Sequence, residues 1–217
     1  MIKLLVVEDH VLVREGLVQV LRQLDKDVTL FEAGNCDTGL AIIDREPDLD
    51  LVLLDLALPG LDGLAGLSLF RSRHPSVPVV IVSAYDDSHT VNRAMKHGAS
   101  GFVPKAYPSD KLLSALRDVL AGNIHVPEQL IPANLGSDLP PIPLTKDASP
   151  AEFGLTDRQA EVLSLISKGK SNRDIAVELG LSEGTVKIHI TAIFKALGVS
   201  SRTQALVAVA RHSIKLP

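Results

Sequence analysis

Five times before residue 122, a short β-branched or leucine-rich run gives way to a longer segment of helical period. This alternation constrains the fold more than any other feature of the chain. The runs fall at residues 3–7, 28–33, 51–54, 79–82 and 101–103, and the helical segments at about 11–24, 36–45, 63–72, 87–97 and 109–121. Strands of this kind, Val- and Leu-rich with no polar alternation, are the ones buried on both faces of a parallel sheet. The spacing predicts an α/β domain built on a doubly wound, five-stranded parallel sheet. Such sheets bind ligands in the crevice beyond the carboxyl ends of their strands.

The chain has 217 residues, enough for this domain and a second, smaller one. With 46% apolar and 22% charged residues it matches neither a disordered nor a membrane class. Its one cysteine, Cys36, permits no internal disulfide and no cysteine-based zinc site, which suits a reducing compartment. No run of about 18 uncharged apolar residues is present, and the first apolar segment turns acidic at Glu8 without a small-residue cleavage site. A cytoplasmic protein with no membrane partner is expected.

Charge divides the chain unevenly. Residues 1–153 carry 13 Lys and Arg against 21 Asp and Glu, whereas residues 154–217 carry 9 against 5. A basic module on an acidic body is the electrostatic outline of a protein that docks on phosphates. Six of the 13 prolines (Pro127, Pro132, Pro140, Pro141, Pro143 and Pro150) fall between the halves, where hydrophobic periodicity fades. The expected domains are therefore 1–122, a semi-rigid linker over 123–152 with a short helical turn within 127–135, and 153–217.

The strand ends hold the chemistry. The first run ends in Glu8 and Asp9, the third in Asp55, the fourth in Ser83, and the fifth leads to Lys105. Any one of these reads most simply as a helix cap or a solvated charge. Together they form a set: three carboxylates repel one another unless a proton or a divalent cation neutralises them, and Mg2+ is the cation that prefers such hard oxygen ligands. A lysine and a hydroxyl opposite the acids can hold the remaining oxygens of a phosphoryl group.

The segments Val6-Val7-Glu8-Asp9-His10, Asp55-Leu56-Ala57-Leu58-Pro59-Gly60-Leu61-Asp62-Gly63, Ser83-Ala84 and Gly101-Phe102-Val103-Pro104-Lys105 resemble the flavodoxin-like receiver domain of bacterial response regulators over residues 1–122. The resemblance implies that Asp55 accepts a phosphoryl group from a sensor histidine kinase. It also implies that Glu8, Asp9, Asp55 and the Ala57 carbonyl bind Mg2+, and that Ser83 and Lys105 contact the phosphoryl oxygens. Phe102 matches the family's aromatic switch, coupled to Ser83. Leu58 and Ala106 stand where methionine and proline are common.

From Leu155 onward the pattern is wholly helical. Thr156 to Gln159 reads as a capping box, Ser171 as the cap of a second helix, and Gly180-Leu181-Ser182 as a tight turn before a third, the spacing of a helix-turn-helix. In residues 183–197 Val186, Ile190, Ile193, Phe194 and Leu197 form one apolar stripe. The opposite face then presents Gly184, Lys187, Ile188, Thr191, Ala192 and Lys195, a strip narrow enough for a major groove, with Ile188 suited to a thymine methyl. His189 reads as a structural hydrogen bonder, and the other histidines show no ligand spacing.

Leu155 to Gln159, Ser182 to His189, and Leu197-Gly198-Val199-Ser200-Ser201-Arg202 are similar to the LuxR-type helix-turn-helix of NarL/FixJ response regulators, over about residues 153–212. The resemblance implies that Lys187, Ile188 and Thr191 enter the groove, and that Ser171, Asn172, Thr185, Lys195 and Arg202 lie near phosphates. It further implies that Glu161 is an internal ion-pair partner and that the last helix, apolar over 204–211, pairs two copies on DNA. The expected function is a two-component transcriptional regulator that is phosphorylated at Asp55, binds double-stranded promoter DNA as a homodimer, and is no turnover enzyme. Two alternatives are a phosphorylation-independent DNA binder with a relic receiver and a Mg2+-dependent phosphohydrolase. The second places Ala57 where a general acid is needed. The proline-rich tether permits either a closed or an open arrangement of the two halves.

Overall fold

The computed structural model describes residues 2–46, 48–60, 63–130, 148–199 and 201–217. Most of the expected tether, with Pro132, Pro140, Pro141 and Pro143, lies outside the described residues, as do Leu61, Asp62 and Ser200.

Strands β1 (Ile2–Val7), β2 (Val28–Ala33), β3 (Leu51–Asp55), β4 (Val79–Ser83) and β5 (Gly101–Pro104) form one parallel sheet in the order β2-β1-β3-β4-β5. Helices α1 (Val11–Leu21), α2 (Cys36–Arg45), α3 (Gly63–Arg73), α4 (Ser88–Lys96) and α5 (Ser109–Leu120) make the crossovers that parallel neighbours need. Side chains of each strand alternate between two buried faces. Leu5, Val7, Val52, Leu54, Ile81 and Phe102 pack with Leu40 and Ile43 of α2 and Leu67 and Phe70 of α3. Leu4, Val6, Leu51, Leu53, Val80 and Val103 pack with Leu21 of α1 and Leu112 and Leu116 of α5. Both faces being covered, no position of β3 or β4, nor of β1 from Leu4 onward, is left for a polar side chain until the carboxyl ends of the strands. The strand order reverses between β1 and β3, and a crevice opens there.

α1 ends at Leu21 rather than near residue 24, because the chain tightens into single turns (Gln23 N to Val20 O, Leu24 N to Leu21 O) before Asp27 N donates to Asp25 Oδ1. Leu24 stays buried all the same. The segment after α5 returns to the sheet, where Phe102 N donates to His125 O, and makes one short helical turn at Glu128–Leu130.

The C-terminal part contains α6 (Asp157–Ser167), α7 (Asn172–Leu179), α8 (Glu183–Ala196) and α9 (Arg202–His212). Each begins at a side-chain cap: Thr156, Ser171, Ser182 and Ser201 accept from the backbone N–H of Gln159, Asp174, Thr185 and Gln204. Gly180, at φ +64°, ends α7 in the left-handed region that glycine enters without penalty. Val162, Ile166, Ile175, Val186, Ile190 and Phe194 share one small core. Among the described residues no helix is long and apolar enough to cross a membrane.

The helical part rests on the edge of the sheet where the strands begin. Lys187 Nζ donates to Leu49 O at 2.7 Å, and Gln204 Nε2 donates to Lys96 O at 3.3 Å. Between the two parts lies a cavity of about 360 Å3, walled by Asp50, Pro78 and Ser100 on one side and Asn172, Phe194 and Arg202 on the other.

Candidate functional site

Glu8 and Asp9 follow β1 and Asp55 ends β3, so the strand-order reversal itself puts three carboxylates at the mouth of one crevice. Glu8 and Asp55 are each only 1% exposed. Burying two like charges side by side is unfavourable without a counter-charge, and Lys105 reaches over from the end of β5 to supply it. Its Nζ lies 2.7 Å from Glu8 Oε2 and 2.9 Å from Asp55 Oδ2. Burial pulls the Lys105 ammonium toward neutrality, but the hydrogen bonds and charges of Glu8 and Asp55 outweigh it and hold its pKa above the ordinary lysine value. Asp55 Oδ1 accepts from Ala57 N at 3.2 Å, which turns the chain just after the strand.

Ser83, fully buried at the end of β4, accepts from Tyr85 N at 3.0 Å through Oγ, and its carbonyl accepts from Lys105 N at 2.7 Å. The hydroxyl and the lysine are thereby tied to one another through the backbone. Phe102 is wholly buried on β5, in the core cluster that includes Val91, Ala94 and Met95 of α4. Among the described residues the peptide bonds are all trans, that before Ala106 included.

Sequence reasoning passed over His10. Its Nδ1 lies 3.2 Å from Glu8 Oε1 and 3.1 Å from Asp9 Oδ1. Glu8, Asp9, His10 and Asp55 each offer a ligand atom, and these atoms all lie within 4.8 Å of one another. The signal was in the sequence, as an imidazole next to two acids at a strand end, but it is invisible when ligand spacing is sought only between histidines. The hard carboxylate oxygens of Glu8, Asp9 and Asp55, with Asp9 Oδ1 buried and without a hydrogen bond, are a donor set that fits Mg2+.

The expected reading strip on α8 is divided. Ile188 is 70% exposed, and Thr191 and Lys195 are exposed as well. Lys187 is not: it is 6% exposed, bonded to Leu49 O and 3.7 Å from Asp50 Oδ1. Burial lowers its pKa, against the opposing pull of Asp50, Asp48 and Glu183. Gly184 and Thr185, at the start of α8, are half-buried.

Two residues expected near phosphates are engaged inside the protein. The Ser171 hydroxyl donates to Asp174 Oδ2 at 2.7 Å and accepts from Asp174 N at 3.1 Å, closing the cap of α7. Arg202 donates to Ile166 O and Lys170 O, placing a cation at the C-terminal end of α6, and its guanidinium packs against Gly122 at the end of α5. Burial lowers its pKa to about 10. Glu161 pairs with Arg158 at 2.7 Å, as the resemblance implies. His189 is half-buried and makes no hydrogen bond among the described residues, so its expected structural bond is not formed. α9, whose Leu206 and Val209 pack on the helical core, turns Gln204 toward Lys96.

Comparison with known proteins adds an independent line. Residues 4–117 match the family described as response regulator receiver domain, and residues 154–209 match bacterial regulatory proteins of the luxR family. The glycerol metabolism activator of Pseudomonas putida is 36% identical over 213 residues, which cover 95% of this chain and 94% of the relative. The nitrate/nitrite response regulator protein NarL of Escherichia coli (strain K12) is 32% identical, over 97% of this chain and 96% of the relative. Among solved structures, the response regulator ChrA of a heme-sensing two-component system is 28% identical, with a TM-score of 0.50 and 98% of each chain covered.

Proposed function

The chain belongs to the DNA-binding, LuxR-type response regulators, which regulate transcription and are not turnover enzymes, and from that premise we propose that it is switched by phosphorylation of Asp55. The observation that carries this reading is Lys105 Nζ, held 2.7 Å from Glu8 and 2.9 Å from Asp55 at the ends of three different strands.

A carboxylate oxygen of Asp55 attacks the phosphorus of a phosphohistidine on the partner kinase, and the imidazole leaves with the electron pair of the broken P–N bond. Glu8, Asp9, Asp55 and the Ala57 carbonyl are the residues that would hold Mg2+, which when bound offsets charge on the phosphoryl oxygens. Lys105 gives up its contact with Asp55 and turns to one phosphoryl oxygen, and the Ser83 hydroxyl donates to another. Phe102 stacks in the core next to β4, so a shift of Ser83 is felt there as repacking. No residue stands ready as a general acid two positions after Asp55, where Ala57 sits, which favours a phosphoacceptor over a phosphohydrolase.

The helical part, residues 153–217, reads DNA. Ile188, Thr191, Lys187 and Lys195 face the groove and its edges, with Asn172, Thr185 and the caps of α7 and α8 close to the backbone. In the arrangement described, Lys187 is engaged by the receiver, residues 1–122, so full contact requires the two to separate. Phosphorylation favours that separation, and two copies then pair through α9 on promoter DNA in the cytoplasm. The segment 123–152 is the tether that allows it.

The test is intact-mass measurement of wild type and Asp55→Asn after incubation with Mg2+ and acetyl phosphate. One added phosphoryl group on wild type alone is the expected result. An adduct on both would move the acceptor elsewhere, and no adduct on either would favour a relic receiver.

A further inference from the structure

The cavity of about 360 Å3 between the receiver and the helical part has no role in phosphoryl transfer or in reading DNA. Pockets that hold small molecules start at about 300 Å3, so there is room for one small ligand. Much of the lining is apolar, with Ile2 and Pro78 from the receiver and Ile190 and Phe194 from α8. Arg202, the first residue of α9, lines it too. Its Nη2 is spent on Ile166 O and Lys170 O, and its guanidinium lies over Gly122, where a Cβ would meet Cζ at 3.1 Å. Its Nε is buried and has no acceptor among the described residues. A buried donor without an acceptor is unfavourable, more so on a charged group, and is rare in folded proteins. The acids of the wall are otherwise engaged: the charges of Asp50 and Glu183 act on Lys187, and Asp174 is bonded to Ser171.

We propose that this cavity binds a small organic monocarboxylate, with the carboxylate accepting from Arg202 Nε and the hydrocarbon body between Pro78 and Phe194. A guanidinium N–H matches a carboxylate oxygen in both charge and plane. One unfilled donor suits one negative charge, whereas a phosphate would bring further charge against Asp50, Asp174 and Glu183. The apolar walls call for carbon as well, which excludes a bare inorganic anion. A ligand in this place touches the receiver and the helical part together only while the two are docked, so it binds the docked form better and shifts the chain toward it. The site is a second input to the regulator, separate from Asp55: its ligand keeps Lys187 against the receiver and α8 away from DNA. That consequence, though not the site, rests on the reading that docking withholds α8.

The experiment is calorimetric titration of the full, unphosphorylated chain with benzoate, phenylacetate and isovalerate, and with the amide of each as its uncharged match. Two variants accompany wild type. Arg202→Gln removes the guanidinium, and Ser100→Trp narrows the cavity from the receiver wall while leaving Arg202 in place. The expected result is binding of one molecule per chain for at least one acid, about tenfold weaker for its amide and in both variants. Arg202 also braces the end of α6, so the comparison of acid with amide, which needs no variant, decides the matter if Arg202→Gln fails to fold. Binding of none of the acids to wild type, or equal binding of acid and amide, overturns the proposal, as does undiminished binding to either folded variant. Anisotropy on labelled promoter DNA with the acid at saturation tests the effect separately. An affinity about fivefold lower is expected. Unchanged DNA affinity while the acid binds leaves the site standing and overturns the reading that docking withholds α8.

Discussion

Lys187 Nζ donates to the carbonyl of Leu49, and Leu49 stands six residues before Asp55 on the segment that becomes β3. The candidate phosphoacceptor and the anchor of the recognition helix thus sit at opposite ends of one strand, about 20 Å apart at ~3.3 Å per residue. Asp50 is fixed at the same end: its Oδ2 accepts from Lys3 N at 2.9 Å, and it faces Lys187 at 3.7 Å.

Removing the receiver's half of this contact should open the protein. Asp50→Ala is expected to raise the affinity of the unphosphorylated chain for promoter DNA about fivefold, corresponding to about 1 kcal/mol lost from a partly exposed ion pair. Fluorescence anisotropy on labelled promoter DNA measures it. An unchanged or weaker affinity would mean that the contact does not govern access to α8.

The same contact predicts a pH dependence. Burial lowers the Lys187 pKa below its ordinary 10.5, so the docked state binds the proton less tightly than the open one. Docking is therefore penalised while Lys187 is charged in both states. It strengthens as pH rises through the lowered value toward 10.5. Small-angle scattering on wild type across this range should show a shrinking radius of gyration, and Lys187→Met should abolish the trend.

Lys105 neutralises two buried carboxylates, and its loss leaves them facing each other. Lys105→Met is expected to cost about 3–5 kcal/mol of stability, as breaking a buried pair does. Mg2+ should restore much of it by taking over the charge, so the melting temperature should rise further with Mg2+ in the variant than in wild type. Equal Mg2+ shifts in the two proteins would separate Lys105 from the cation site.

The cap of α7 gives an independent check on the helical part. Ser171→Ala should destabilise by about 1 kcal/mol in urea unfolding. Hydrogen bonds from Ser171 hold the Asp174 carboxyl below the usual carboxylate range. That contribution is present above pH ~4 and is lost as acid carries Asp174 through its lowered pKa. The gap between Ser171→Ala and wild type should narrow accordingly at low pH. A pH-independent gap would mean that the side-chain pair is not formed in solution.

How much of this was legible beforehand follows the range of the interactions. Strands β1 to β5, the helices between them and the caps at Thr156, Ser171 and Ser182 are written in runs of a few residues, and they lie within a few positions of expectation. Alternation predicts that Glu8, Asp9 and Asp55 close strands of one parallel sheet, and the order that makes β1 and β3 neighbours brings them together. Lys187 could not be placed in this way. On α8 it lies opposite the apolar stripe, and only packing against a separate part of the chain, 138 residues away in sequence, takes it out of solvent. Arg202, which the resemblance puts near phosphates, is engaged in this arrangement by the free carbonyls of another helix, a contact as remote from local pattern as that of Lys187.

The division of the α8 face carries one more consequence. Lys187 is buried against the receiver while Ile188, beside it, stands 70% exposed. On the reading proposed above, a change at position 187 alters both the bases preferred and the resting level of transcription, and selection acts on the two together. A change at position 188 touches base preference alone. Descendants of this regulator that acquire new promoters without becoming constitutively active would therefore be expected to vary first at 188 and its exposed neighbours, with 187 changing only alongside Asp50.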